Sequence, residues 1–414
     1  MFSDQVNKIM DPPAEHHQPL LDDDDSSDSG IEMTRLHNGL SSPSLLSSSA
    51  PEPVPTLHIA LALLVTIAGF VINTESAAYY EDVLGWKKPF CSLYIMHSSL
   101  ALPWLCHLGY SRLTQSQKPY KTWVRDYNND LRAAISGIEA FATAGPAMVW
   151  KRSGSLGGPL DYLATAMALV TAVLTVSGMA WFVALVWTTP GDLTAIYNCS
   201  TFFAAVFSVP LLRQKLSSAS IGAVALSIIG TFIIAYGDTT AVHTESEGGG
   251  KVGTRRLLGN VVSLVGAVAF GLYEVLFKKY ACSSRPAGSV ASLHLTFAAS
   301  ALTGMYTFST FWVVLLVLHI LGIETFVIPG LYVAMWIAIS VLSGAVAMTS
   351  LLILVTWTNP VFSSVASVLS VFFVAIADWL LFGLVPSIPT YAGGLIIIVA
   401  FVLMAREELG HGKR

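Results

Sequence analysis

Three carboxylates sit in stretches of this sequence that are otherwise apolar. An ionisable group in such a setting is costly and points to function. Glu75 closes the run Asn73-Thr74-Glu75, Glu274 lies within Gly271-Leu272-Tyr273-Glu274-Val275-Leu276-Phe277-Lys278, and Asp378 lies in Ala377-Asp378-Trp379. A carboxylate there can gate a path, couple it to protons, or pair with a base. Lys278 stands four residues after Glu274, the spacing of an ion pair on one helix face, with the lysine reaching to the interface. Glu274 is therefore either half of a structural pair or a gating or coupling group. Glu75 is close enough to the end of its run for plain solvation to be the alternative. Trp379 beside Asp378 is a residue favoured at the membrane interface, which leaves the same alternative open there.

The elements that must position these groups follow from composition. Hydrophobic residues make up 54% of the 414-residue chain and charged residues 12%, against roughly 25% charged in soluble domains. So much apolar surface calls for lipid as the solvent. From Pro55 onward, stretches long enough to cross a ~30 Å hydrocarbon core recur. Ten are expected, at 57–75, 89–110, 162–186, 191–212, 217–236, 257–277, 290–318, 331–355, 360–382 and 387–405. All must be helical, because lipid offers no other partner for the backbone N–H and C=O groups. The long connection 111–157 holds a weakly amphipathic run around Leu131–Ala142, expected to be a surface helix and no more.

Other chemistries find little support in the residues. Cys91, Cys106, Cys199 and Cys282 are scattered singly, without the spacing of a disulfide framework or a zinc site. His97, His107 and His294 lie on apolar helices without ligand spacing and read as packed, hydrogen-bonded side chains. No metal or cofactor is expected. No Lys/Arg cluster suggests nucleic acid, and no His-, Asp- or Ser-rich cluster suggests a membrane enzyme.

A near-repeat organises the apolar stretches. Trp187-Thr188-Thr189-Pro190 returns 170 residues later as Trp357-Thr358-Asn359-Pro360, and positions 187–205 and 357–375 share seven identities in nineteen without a gap. Duplicated membrane halves are the usual architecture of secondary transporters. Ten helices in two halves give five each, and an odd number inverts the second half relative to the first. The expected class is thus an all-α integral membrane protein of ten transmembrane helices in two inverted five-helix repeats. The expected segments are a disordered acidic tail (1–55), a first half (56–237), a linker (238–256) around Gly248-Gly249-Gly250, a second half (257–405) and a short tail (406–414). Trp187, Asn198, Trp357 and Asn359, in and beside the repeated elements, join Glu75, Glu274, Lys278 and Asp378 as candidates for contact with a solute or coupling ion.

Charge sets the orientation. With the N-terminus in the cytosol, seventeen Lys and Arg residues fall on the cytosolic side and five on the other, a clear positive-inside bias. The first 55 residues carry ten of the 26 acidic residues and two of the 22 basic ones, so the remainder is mildly basic. This tail lacks a signal-peptide pattern, and its low apolar content predicts disorder. Ser26, Ser27 and Ser29 lie among acids as candidate phosphorylation sites. Glu15 with Leu20-Leu21 loosely resembles an acidic dileucine signal, one residue off the strict spacing.

Four stretches together resemble the drug/metabolite transporter superfamily with two EamA-type halves. They are Asn73–Pro89 with Gly85-Trp86-Lys87-Lys88-Pro89, Ile196–Asp238 ending Ala235-Tyr236-Gly237-Asp238, Leu272–Lys279, and Asn359–Gly383. Within it the sequence is most similar to the nucleotide-sugar-transporter-like branch of solute carrier family 35, which includes putative thiamine carriers and fungal vacuolar members. The resemblance covers roughly 56–405 and rests on the order and spacing of the motifs. One departure is Arg213-Gln214-Lys215, where many relatives place an acid. The resemblance implies a ten-helix carrier with a central cavity and both termini in the cytosol. With three membrane acids against one deep lysine, a thiamine-like cation or a proton-coupled cycle is the first expectation. A nucleotide sugar or other metabolite, and a carrier-fold receptor or scaffold without transport, are the alternatives. The expected site is an endomembrane, the vacuolar membrane first, with Golgi and plasma membrane as alternatives. The partners open to the chain are a small-molecule solute, the lipid bilayer, a sorting adaptor at Leu20-Leu21 and a second copy of itself.

Overall fold

The structure is a computed structural model that describes residues 54–144, 158–188, 190–236, 251–283, 289–383 and 386–411. The expectations for the acidic tail, for Leu20-Leu21 and for the triglycine stretch fall outside these residues. All described residues belong to one compact unit, Pro51–Arg414, and among them every regular element is helical.

Proline punctuates the chain as the apolar pattern requires. Helices α1 (Thr56–Ala78), α2 (Pro89–Ser98) and α3 (Leu102–Thr114) open the fold. After α4 (Tyr120–Ser136) and α5 (Glu139–Ala144) come α6 (Pro159–Trp187), α7 (Pro190–Asn198), α8 (Ser200–Leu212) and α9 (Ser218–Tyr236). The remainder is α10 (Lys251–Ala281), α11 (Val290–Ile320), α12 (Leu331–Trp357), α13 (Pro360–Phe382) and α14 (Ile388–His411). Prolines 89, 159, 190 and 360 each stand at the first helical position, where the missing N–H would be unpaired in any residue. At the start of α6, Asp161 Oδ2 accepts the Gly158 N–H at 3.1 Å, satisfying one of the orphan donors. Both Trp-Thr-x-Pro elements are breaks between helices: α6 ends at Trp187 and α12 at Trp357.

Among the described residues, eight helices are long and apolar enough to cross a membrane. Two of the ten expected stretches, the second and the fifth, are not among them. The second is interrupted by a 3₁₀ turn at Ser99–Ala101, just ahead of Pro103, and the fifth is a shorter apolar helix, Ser218–Ile234. The fourth divides at Cys199 into α7 and α8, and only Ala195–Leu212 qualifies as a span. Helix α10 begins at Lys251, so its first turns occupy part of the expected linker.

The connection after α3 is more than a surface helix. Helix α4 starts well before Leu131 and buries Trp123, Tyr127, Leu131, Ala134 and Ile135. These residues recur at helical spacing on a helix packed against α11 and α6, and Tyr127, Leu131, Ala134 and Ile135 join the main core with Tyr162, Met167, Tyr273, Phe277 and Leu351. The expectation erred because the apolar period was read from Leu131 onward, whereas it begins at Trp123.

The packing partners are crossed. Helix α1 packs chiefly on α12, α10 chiefly on α6 and α8, and α9 on α14. At the α9–α14 crossing two glycines meet. A Cβ on Gly230 would lie 2.7 Å from the Gly393 carbonyl oxygen, and one on Gly393 would lie 2.5 Å from that of Gly230. Ile397 and Ile234, each four residues on, complete the reciprocal contact. Only glycine lets the backbones approach this closely.

Candidate functional site

A cavity of about 530 Å³ lies among α1, α2, α6, α7, α10 and α12. Its walls are aromatic: Phe70 from α1, Trp181 and Phe182 from α6, Tyr197 from α7 and Phe270 from α10. Trp181 and Phe182 meet edge to face with centroids 4.8 Å apart, and Tyr197 and Phe270 lie 5.8 Å apart. A π-helical turn, Tyr79–Val83, continues α1 and brings Tyr80 and Glu81 to the cavity, its wider ring closed by the Leu84 N–H on the Tyr79 carbonyl at 3.1 Å. Such turns often mark functional sites. Glu81 is the acid of the lining, which contains no Lys or Arg among the described residues. An aromatic pocket with an acid and no Lys or Arg suits an organic cation, which the ring faces attract.

Most polar side chains of this cavity are committed to the scaffold. Asn73 Nδ2 donates to the Ser340 carbonyl at 2.8 Å and to its Oγ at 3.0 Å, tying α1 to α12. Tyr80 donates to Ser92 Oγ at 3.1 Å, and Tyr197 shares a 2.6 Å hydrogen bond with Ser177. At the N-terminus of α2, the Glu324 carboxylate accepts the N–H groups of Phe90 (3.0 Å) and Cys91 (2.8 Å), capping the helix from the loop before α12.

The eight residues singled out in the sequence lie elsewhere, and none lines this cavity. Glu274 is fully buried on α10, where Ser364 of α13 donates to its Oε2 while Oε1 has no hydrogen-bond partner among the described residues. Phe270 of the cavity and Glu274 are four residues apart, so the carboxyl sits one helical turn beyond the aromatic wall. Lys278 makes no ion pair with Glu274. Its ammonium donates to the carbonyls of Val355, Thr356 and Thr358 at 2.7, 2.8 and 2.8 Å, holding the end of α12 where the helix dipole favours a cation. Glu75 is buried on α1. Asp378 lies on α13, and its side chain is outside the description. Asn359 Oδ1 accepts the Phe362 N–H at 2.8 Å as the cap of α13. Trp357 packs near His58 with centroids 6.3 Å apart, Trp187 is 38% exposed, and Asn198 closes α7. Glu274 and Lys278 thus share one helix face with different partners, and the others are dispersed.

Sequence reasoning passed over a second polar cluster. Asp192, in the first turn of α7, is buried and receives Arg256 from α10 in a two-pronged ion pair, Nε to Oδ2 at 2.7 Å and Nη2 to Oδ1 at 3.1 Å. Asn260 Nδ2 and Thr188 Oγ1 each reach Asp192 Oδ2 at 3.1 Å. The signal was present: an acid two residues after Pro190, in a first helical turn. Asp192 lies ahead of the span Ala195–Leu212. Burial alone would raise its carboxyl, but hydrogen bonds from Arg256, Tyr236 and Asn260 and the Arg256 charge outweigh that and hold it well below the usual carboxylate range. A depressed folded-state value stabilises the fold above the unfolded carboxylate value of about 3.9 and is lost only as pH falls through the lower folded value. Thermal unfolding should therefore show no loss from this group between about pH 7 and about pH 5. Asp192→Ala should cost about 2 kcal/mol at either pH. Arg256 is 44% exposed, so the ion pair contributes little of that; most reflects donors left without their shared acceptor. A cost that disappears by pH 5 would refute the assignment.

Comparison with known proteins adds an independent line. No family model matches the chain. Over 156 residues it is 27% identical to a thiamine-repressible mitochondrial transport protein of Saccharomyces cerevisiae, covering 37% of this chain and 39% of that protein. Over 234 residues it is 23% identical to an uncharacterized transporter of Schizosaccharomyces pombe, covering 54% and 65%. The chain is similar to fungal transporters. Both matches span less than two thirds of the relatives' own length. A solved crystal structure superposes with a TM-score of 0.52 at 12% identity, covering 84% of this chain and 98% of that one, and shows the fold alone. With eight long apolar helices among the described residues, this is a multi-pass integral membrane protein whose architecture is consistent with transport.

Proposed function

We propose that the chain is a secondary transporter that carries a small organic cation by alternating access, with a thiamine-like solute as the first candidate. The observation that carries this reading is the aromatic cavity with Glu81 and no Lys or Arg among its described lining residues. Its ~530 Å³ is within the size range of small-molecule sites. Two inverted five-helix repeats would supply the rocking halves. The crossed packing supports them, because exchanging the halves turns the α1–α12 contact into the α10–α6 contact and returns the α9–α14 contact to itself. In this reading the cavity faces away from the cytosol, and Glu274, beyond its wall, couples transport to protons.

Uptake of radiolabelled thiamine into proteoliposomes, with and without a pH gradient, tests the proposal. Saturable uptake is expected, with Trp181→Ala and Glu81→Gln each raising KM about tenfold, roughly 1.4 kcal/mol of lost binding. Binding without uptake would favour a carrier-fold receptor. Neither binding nor uptake would sink the cation reading.

A second reading, a nucleotide-sugar carrier, draws on one observation. A cavity of about 410 Å³ among α5, α8 and α10 presents Arg213, whose φ of 54° is left-handed, together with Lys279. Exchange of a labelled nucleotide sugar in the same vesicles would favour it. The membrane we assign is an endomembrane, the vacuolar one first. A tagged chain confined to mitochondria or the plasma membrane would overturn that.

A further inference from the structure

His97 is the buried polar group of the aromatic cavity that the scaffold does not use. It lies on α2, is 7% exposed, lines the cavity, and neither ring nitrogen makes a hydrogen bond to a described residue. Neither nitrogen is among the fully enclosed unpaired atoms, so the ring's polar edge opens onto the cavity and is available to a group that enters it. Its place is built rather than incidental. Gly178 of α6 faces it, and a Cβ there would lie 2.8 Å from Leu93 Cδ1 and 3.3 Å from His97 Cε1. The glycine therefore leaves the room that the ring occupies. Trp181 follows Gly178 by one helical turn, which places the imidazole next to an aromatic wall. A neutral imidazole offers one N–H donor and one bare nitrogen acceptor in the plane of its ring. A cation held against the ring faces would thus meet a directional hydrogen-bonding group at its edge.

We propose that His97 is the specificity-determining residue of the cavity, hydrogen-bonding a substituent on the ring of a flat heteroaromatic cation and favouring it over the bare ring. The inference rests on the cation-carrier reading and goes beyond it, because the aromatic walls and Glu81 account for charge and shape while His97 accounts for choice. A site built to hydrogen-bond a substituent rejects analogues that lack it, since its own buried group is then left unpaired.

The test uses two probes of equal charge, 4-amino-1-methylpyridinium and 1-methylpyridinium, titrated calorimetrically into the purified full chain. The amino probe is expected to bind about tenfold more tightly, the value of one unmade hydrogen bond of roughly 1.4 kcal/mol. In His97→Phe the preference should fall to within about twofold while 1-methylpyridinium still binds. His97→Gln, which keeps a donor and an acceptor, should retain part of it. If His97→Phe fails to fold, Gly178→Ala displaces the imidazole without removing it and should lower the preference likewise. Equal binding of the two probes by the native protein, or a preference that survives His97→Phe or Gly178→Ala, overturns the role of His97 alone. Binding of neither probe by the native protein overturns the cation site and this inference with it.

Discussion

Replacing Glu274 by glutamine is expected to abolish proton-driven net transport, lowering it by about a hundredfold or more, which corresponds to roughly 2.7 kcal/mol. The protein should remain folded. Glutamine keeps the volume of the side chain and the acceptor for Ser364, and removes only the capacity to take up and release a proton. The alternative suggested by the four-residue spacing was a Glu274–Lys278 pair, in which Glu274→Gln would strand a buried cation and Lys278→Met would repair it. The Lys278 ammonium is instead spent on the carbonyls of Val355, Thr356 and Thr358. The double change should therefore restore nothing and should add the instability of a loosened end to α12. Recovery of transport in the double mutant would remove the coupling role and reinstate the pair. Uptake driven by an imposed pH gradient, measured beside equilibrium solute exchange, separates lost coupling from lost binding.

Valine at either Gly230 or Gly393 should cost at least about 3 kcal/mol, the upper range for overpacking, because the obstacle is backbone rather than a movable side chain. The two substitutions should have nearly equal effects, since each residue meets the partner's carbonyl and the partner's isoleucine four residues on. Thermal unfolding of both variants in detergent reads this directly. A loss at one site with tolerance at the other would mean that the α9–α14 crossing lacks the reciprocity expected of related halves.

Much of the architecture was legible because hydrocarbon is a strict solvent. Long apolar runs must be helices, and prolines after Trp-Thr-x mark where one ends and the next begins. The bounds of α6, α7, α12 and α13 follow those signals. The interruption at Ser99–Ala101 was not legible, since a turn inside an apolar run leaves hydropathy unchanged. Helix α4 was only half seen, because its polar face masks a core-facing stripe that becomes apparent once α6 and α11 are present.

The candidate site divides along the same line. Sequence alone determined that Glu274 is an acid in an apolar helix, that Lys278 shares its face, and that two proline-terminated breaks recur 170 residues apart. It could not say what those groups touch. Ser364, the carbonyls at the end of α12, and the Asp192–Arg256–Asn260 cluster are brought together from positions far apart in the chain. His97 read as a packed, hydrogen-bonded histidine; it is buried, but it makes no hydrogen bond to a described residue and faces a cavity, because Gly178, on another helix, makes room for it. Solvent and local sterics act on each residue where it stands, so composition and spacing record them; a cavity is the space several helices leave between them, and only their packing decides which side chains line it.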